Sequence, residues 1–566
     1  MAQPIVIRAS SRPQGPPRRE PIKRLILACD GTWLNSDNTK LNGELAIPSN
    51  VTRITRAIKP ESSDGTQQVV FYQEGIATMG GIFTRVVGGA IGAGVQENVR
   101  EGYSFLCNNY HPGDEIILLG FSRGAFTARS IAGLIAIIGL LTKKALNYLP
   151  EIHRDVRNRR KRDYKPKNPD IPFSNKPSAN DPAYALELER ARMTWLNVSI
   201  KAIGVWDTVG TLGVPRVGLL NHLPIQMDDS THFEDTKLGN HIENAFQALA
   251  LDEERTNFAP SLWEKPPGCT TTLRQVWFPG VHSNIGGGYQ DSQLANITLA
   301  WMMSQLAPLL SLNYDYILRE ESSNAAYYRS TRQKIRPWSF GRIYDSLSGL
   351  YNLGGGTART PGTYYATDPR DLNPTERPLR NTCEYIHPSV RTRLRLGGPG
   401  MEDEGVYGPE ALKDWRLVVE YPNDDPDHGD PDIYWRARFP EKRVSTRVLP
   451  ETPLWDVERR LLSRDPEMMD YVMFPPPTKK RGERPVSLSG PASGRDERRG
   501  GRREGGASDY GINRERDRDR ERRRSEPPPS SYQEWMDQQR QQQQQQPQRP
   551  RYSDRDRPER YYANLE

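Results

Sequence analysis

Cysteine is scarce in this 566-residue chain: Cys29, Cys107, Cys269 and Cys383 make up the whole set. None stands in a C-x-x-C pair, which argues against a disulfide framework and against a metal site built on thiolates. The thiols are expected to be free, in a reducing intracellular, cytoplasmic setting. Long apolar runs are missing too. The opening Met1-Ala2-Gln3-Pro4-Ile5-Val6-Ile7-Arg8 holds too short an apolar stretch for a secretory signal. The most apolar segment, Ile131 to Leu141, falls well below the ~20 residues that span a bilayer. An excess charge of one sign is absent from most of the chain. Residues 478–566 carry 22 Lys+Arg against 16 Asp+Glu, so all but one of the net +7 charges belong to that stretch. The charge of the body therefore says little about its substrate, and no cofactor is implied.

The length allows two to four domains, or one large elaborated domain with tails. Residues 1–22 carry Pro, Ser and Arg without periodicity and read as a flexible arm. Residues 478–566 contain mixed-charge runs (Arg514 to Arg524), Pro527-Pro528-Pro529 and Gln541 to Gln546, with too few apolar residues to offset chain entropy. That tail is expected to be disordered. Between them, apolar strands at 24–29, 68–72, 115–119, 198–206 and 271–278 alternate with helical patterns at 95–109, 125–141 and 294–310. Alternation of this kind implies an α/β fold with a mostly parallel, doubly wound sheet covered on both faces. Residues 151–192 are charged and proline-interrupted and read as a cap insertion. Residues 311–474 read as an accessory part of loop-rich, aromatic-rich pieces. The body is thus expected to occupy 23–474.

The most informative motif is Gly120-Phe121-Ser122-Arg123-Gly124. A buried strand precedes it and a mostly apolar helix follows. Strand, Gly-x-Ser-x-Gly, helix is the pattern of a nucleophile elbow in an α/β-hydrolase. The serine sits on a sharp, strained turn, so side chains two positions to either side would collide with strand or helix; Gly120 and Gly124 remove those collisions. The Arg123 backbone N–H then points at a developing oxyanion. The bland reading is a turn whose serine caps the helix.

A serine nucleophile needs a base, and the base needs an acid to orient it. The expected chain order is Ser, Asp or Glu, then His, each after a strand. Among eight histidines, His282 combines a strand end with a glycine-rich turn, Gly286-Gly287-Gly288, and Asp207 directly follows an apolar strand. Asp207 before Thr208 could equally cap a loop as an Asx-turn residue. Asp252 and Glu253, in surroundings that look helical, are rival acids, and His387 is the rival base. Asp30-Gly31-Thr32 ends the first strong strand, where the backbone of Gly31 or Thr32 is a candidate for the second oxyanion amide.

Four ordered segments carry a family resemblance: Cys29-Asp30-Gly31-Thr32-Trp33; Gly120 to Arg129; Gly204-Val205-Trp206-Asp207-Thr208-Val209-Gly210; and Gly280-Val281-His282-Ser283-Asn284-Ile285-Gly286-Gly287-Gly288-Tyr289. Over about residues 24–390 the chain resembles the uncharacterised α/β-hydrolase domain family that includes the first family of type VI secretion phospholipase effectors. The resemblance implies a catalytic Ser122, Asp207 and His282, and an ester or phospholipid substrate with peripheral membrane contact. Asn284 departs from the bacterial pattern, which often has Asp there. The tail points to a eukaryotic, fungal-type member rather than a secreted toxin. The rival class is a non-catalytic scaffold whose basic tail associates with RNA or anionic membrane. Alternating signs in Arg514-Glu515-Arg516-Asp517-Arg518 and the lack of interleaved aromatics argue against specific nucleic-acid binding.

Overall fold

The computed structural model describes residues 22–31, 47–75, 90–161, 163–209, 236–347, 356–367, 374–422, 429–440 and 446–478. All but the last residue of the expected N-terminal arm, and the expected tail beyond Thr478, lie outside the described residues, as does Thr32.

The strands that the apolar runs announce are β1 (Lys23–Cys29), β2 (Gln67–Gln73), β3 (Glu115–Phe121), β6 (Ala202–Trp206) and β8 (Thr272–Phe278). Two minor strands, β4 (Leu140–Leu141) and β5 (Thr194–Trp195), pair antiparallel outside the main sheet. Two further strands complete that sheet: β7 (Asn244–Ala250) and β11 (Glu384–Ile386). The order is β11-β8-β7-β6-β3-β1-β2, and every pairing is parallel. The chain starts at β1, steps outward to β2, then returns across β1 to β3 and continues the other way. The direction of winding therefore reverses between β1 and β3. In open α/β sheets the crevice outside the carboxyl ends of the strands at such a switch is where ligands bind. Ser122 follows β3 there, and Asp30 follows β1.

Alternate residues of each strand feed opposite layers, as the two-residue period of a strand requires. Leu25, Leu27, Ile116 and Leu118 pack with Val95, Val99 and Tyr103 of α2 (Ala90–Asn109) and with Ala128, Ile131 and Ile135 of α3 (Arg123–Ile138). Ile26, Ala28, Ile117 and Leu119 pack on the other face with Val51 and Ile54 of α1 (Asn50–Ala57) and with α7 (Gln293–Leu306), the helix that follows the short α6 (His282–Gly286). Each such large aliphatic side chain taken out of water contributes about 1.5–3 kcal/mol before entropy is charged. Both faces are covered, which is why the strands read as near-continuous apolar runs.

The insertion after α3 contains α4 (Leu149–Asn158) and α5 (Ala183–Arg190). Ile152, Val156, Tyr184 and Leu188 are buried in the α2–α3 layer, so this polar segment contributes to the core with one face of each helix. Its stem is the β4–β5 pair, at the C-terminal end of α3, the end remote from Ser122.

Past α7 come α8 (Asp315–Ser330), the hairpin strands β9 (Tyr365–Thr367) and β10 (Pro374–Pro378), β11, and α9 (Pro388–Arg395). An antiparallel sheet of β12 (Trp415–Glu420), β13 (Asp432–Ala437) and β14 (Val448–Pro450) follows, then α10 (Asp456–Leu462) and α11 (Pro466–Met473). This part is joined to the main sheet: β11 pairs with β8, and Ile386 bridges onward to Glu451.

A ladder of buried amides ties the pieces beneath the sheet's C-terminal edge. Gln275 on β8 accepts from Gln247 Nε2 at 3.0 Å and from the Trp263 amide at 2.9 Å, and donates to the carbonyls of Trp263 (2.9 Å) and Thr382 (2.6 Å). Gln247 in turn accepts from Thr208 Oγ1 at 2.6 Å. A leucine at 275 would fill the space and strand these partners, at about 1–3 kcal/mol for each buried group left unpaired. Gln275→Leu is therefore expected to lower the unfolding free energy by roughly 3 kcal/mol or more, read from denaturant melts; an unchanged midpoint would show that the ladder is dispensable.

Candidate active site

Ser122 has φ 57° and ψ −121°, a conformation that non-glycine residues rarely hold. Strain of this kind costs of order 1–3 kcal/mol and persists where surrounding packing over-determines it. The packing is visible. A Cβ on Gly124 would lie 2.1 Å from the Cys29 carbonyl oxygen, and one on Gly120 would lie 2.6 Å from Ala125 Cα. These two glycines let α3 press against the ends of β1 and β3, as the motif predicts. The Ser122 amide donates to the Trp206 carbonyl at 3.0 Å, joining the turn to the residue just before Asp207.

Asp207 is fully buried and also has positive φ, 41°. His282 Nδ1 lies 2.6 Å from its Oδ2, and the Ala250 amide at the end of β7 donates to Oδ1 at 3.0 Å. Arg359 grips the same carboxylate with both ends of its fork, Nη1 on Oδ1 and Nη2 on Oδ2, the latter at 2.9 Å. Burial alone would raise the Asp207 pKa. The Arg359 charge, together with the hydrogen bonds from His282 and Arg359, overcomes this and holds the carboxyl well below its usual range. An ionised carboxylate can only accept, so Nδ1 is the donor and Nε2 of the neutral ring is left as an acceptor. Burial dominates at His282 and lowers its pKa below 6.5; the Asp207 hydrogen bond and charge oppose that shift without cancelling it, while Arg255 adds to it.

The imidazole is clamped as well as oriented. Phe121 tilts against it at 4.7 Å between centroids, and Phe258 meets it edge-on at 4.8 Å. Thus the residue preceding Ser122 packs on the ring that Asp207 holds.

The rival acids and base have other occupations. Glu253 accepts from the His282 backbone amide on Oε2 at 3.1 Å; Arg255 binds both of its carboxylate oxygens (Oε1 at 2.8 Å, Oε2 at 2.9 Å), and Ser346 donates to Oε1 at 2.9 Å. It fixes the histidine's main chain, whereas Asp207 fixes the ring. Asp252 accepts from the Gly280 amide at 2.6 Å and from the Tyr407 hydroxyl at 3.0 Å; burial pushes it up to about 6. Their surroundings are not helical: both lie in the turn that follows β7. His387 is buried beside Phe278, and burial holds its pKa down to about 3. Its Nδ1 accepts from the Ser389 amide at 3.1 Å, capping α9, so Nε2–H of the neutral ring donates to Glu458 at 2.7 Å.

Near the first strand, Asp30 receives Ser49 Oγ at 2.6 Å, Thr52 Oγ1 at 2.9 Å and Tyr72 OH at 2.6 Å. It also takes the Gly31 amide at 2.6 Å, so this candidate oxyanion donor is occupied by its neighbour's carboxylate. Asn284 caps the turn after β8, accepting from the Val281 amide at 3.1 Å and donating to the Arg342 carbonyl at 2.9 Å.

Sequence reasoning missed Arg359. It stands among Gly, Thr and Pro with no periodic pattern, 152 positions from its partner, and no local signal marks it. Among the described residues no group of three or more His, Cys, Asp and Glu is gathered as a metal site would need, and no helix is long and apolar enough to cross a membrane. The separate occupations of the two histidines make a prediction. His387→Ala strips two buried hydrogen-bond partners and should lower stability by about 2–4 kcal/mol while leaving any ester hydrolysis by the folded variant at the wild-type rate, as paired melts and kinetics would report.

Comparison with known proteins bears on this geometry. The family described as T6SS, Phospholipase effector Tle1-like, catalytic domain matches residues 23–305, half of the chain. An uncharacterized protein of Saccharomyces cerevisiae is 26% identical over 251 residues, which are 42% of this chain and 32% of that relative, so the match spans about a third of the yeast protein's length. A crystal structure of an uncharacterized protein from Pseudomonas aeruginosa is 17% identical and covers 56% of this chain and 52% of that one, with a TM-score of 0.30. A fungal relative thus stands beside the bacterial family, as the resemblance implied. The match begins at β1, takes in Ser122, Asp207 and His282, and ends within α7, and on that extent the chain belongs to the Tle1-like phospholipase-effector catalytic-domain family and carries a phospholipase-like hydrolase domain.

Proposed function

We propose that the chain hydrolyses a carboxylic ester of a lipid, a phospholipid by the family's description, through a Ser122–His282–Asp207 acyl-enzyme mechanism. The observation that carries this reading is the 2.6 Å contact between His282 Nδ1 and a buried, ionised Asp207, formed beside the strained Ser122 turn. In the proposed reaction Ser122 Oγ attacks the ester carbonyl carbon while His282 Nε2 takes the hydroxyl proton. The tetrahedral oxyanion is met by the Arg123 amide at the start of α3, where the helix dipole adds positive potential. Collapse expels the alcohol, which receives the proton from His282. Water then attacks the acyl-enzyme by the same route, and His282 returns the proton to Ser122. Asp207 keeps the ring in the required tautomer and stabilises the imidazolium.

Ser122→Ala and His282→Ala are each expected to lower turnover on a phospholipid or a soluble p-nitrophenyl ester by about 10³-fold or more, and the double variant should be little worse than either alone. Near-native turnover by folded Ser122→Ala would sink the assignment. The base must be neutral to act, and burial holds His282 below its ordinary 6.5. The acidic limb of the kcat/KM profile should accordingly fall below pH 6.5; a limb above pH 7 would contradict the environment described for the ring.

A further inference from the structure

We propose that Arg359 is a positioning residue for the Asp207–His282 couple, a fourth member of the constellation supplied from outside the matched catalytic region. The proposal rests on the triad reading above.

Three features set Arg359 apart from an ordinary structural ion pair. Its contact is two-pronged: with one nitrogen on each Asp207 oxygen, the carboxylate plane cannot rotate, and the oxygen that Arg359 Nη2 shares with His282 is fixed toward the imidazole. Its two other Nη hydrogens bind the carbonyls of Ala250 (from Nη1) and Phe258 (from Nη2), both at 2.8 Å. Those carbonyls belong to the strand end whose amide also binds Asp207 and to the residue whose ring meets His282 edge-on. One guanidinium thereby registers the acid, the strand beneath it and the aromatic wall of the base. Finally, it sits in a segment that is itself tied down: Gly356 bridges to Arg255, the Thr357 amide donates to the Glu254 carbonyl at 2.7 Å, and the Gly362 amide donates to Glu384 at 2.9 Å.

Charge follows from the same geometry. Fully buried Asp207 faces a cation on one side and a neutral imidazole on the other. Without the cation, the carboxylate would draw a proton onto itself or onto His282, and the pair would titrate as a unit at higher pH. Among the described residues, the charged or titratable groups beside the pair include Glu253 under the His282 amide, Arg255 over the Phe258 ring at 3.5 Å, and Tyr364 beside Arg359. Arg255 is engaged by Glu253 through two side-chain bonds, so it does not replace the charge at Asp207.

The experiment compares full-length wild type, Arg359→Gln, Arg359→Lys and Ser122→Ala, reading kcat/KM on a soluble p-nitrophenyl ester against pH. Arg359→Gln removes the charge and should move the acidic limb upward by about one to three units, the range for losing a neighbouring opposite charge. At pH 7 its kcat/KM should fall roughly 10²-fold, the cost of a misplaced catalytic group. Arg359→Lys keeps the charge but not the fork: its limb should stay near wild type while kcat falls about tenfold, a partial form of the same misplacement. A folded Arg359→Gln with the wild-type limb and rate would overturn the proposal, as would an Arg359→Lys no better than Arg359→Gln. Should Arg359→Gln fail to fold, Arg359→Lys decides alone, since full activity without the fork would remove the positioning role. Equal turnover by wild type and Ser122→Ala would instead bring down the triad reading, whatever the Arg359 variants did.

Discussion

A carboxylate taken wholly out of water sets the terms for the site around it. Asp207 has no exposed surface, and an isolated buried charge would simply take up a proton. Here it accepts from His282, from the Ala250 amide and twice from Arg359. These donors come from the ends of β7 and β8 and from the stretch before β9. Keeping one side chain ionised therefore demands that four separate parts of the chain arrive together, and the parallel sheet is what brings the strand ends to one edge.

The same edge holds the backbone strain. Ser122 and Asp207 both have positive φ without being glycine, and they terminate the adjacent strands β3 and β6. They are also linked, because the Ser122 amide binds the Trp206 carbonyl. The two turns are stabilised by what lies beneath them: apolar layers on both faces of the sheet, Gly120 and Gly124 where α3 approaches, and the amide ladder through Gln247 and Gln275. Division of labour among the acids follows from position. Asp207 reaches the His282 ring, Glu253 its amide, and Asp252 the turn that leads to it.

Much of this was legible in the sequence, for reasons particular to each piece. The Ser122 turn needs glycine at fixed offsets, so it leaves a motif; Asp207 and His282 follow long apolar strands, so their places are marked by what precedes them. Strand β7 was not legible. Asn244-Ala245-Phe246-Gln247-Ala248-Leu249-Ala250 is built mainly of residues that favour helices, and a slot between two parallel strands overrides that weak preference. The three-residue β11 is too short to show a period, so nothing in the sequence marks where the part beyond 311 joins the main sheet. Arg359 left no trace because a lone arginine reaching an aspartate 152 positions away depends on the finished fold. At 151–192 a charged exterior hides amphipathic helices that each bury one apolar stripe, so their packing did not show in the composition.

The central claim, that the environment of the elbow makes Ser122 a nucleophile, is tested most directly by covalent capture. Full-length protein would be treated with a fluorophosphonate probe and the modified peptide located by mass spectrometry. The account predicts one phosphonylated residue, Ser122, with labelling abolished in Ser122→Ala and strongly slowed in His282→Ala. Folded protein that takes up no probe, or that carries it on another serine, would contradict the account.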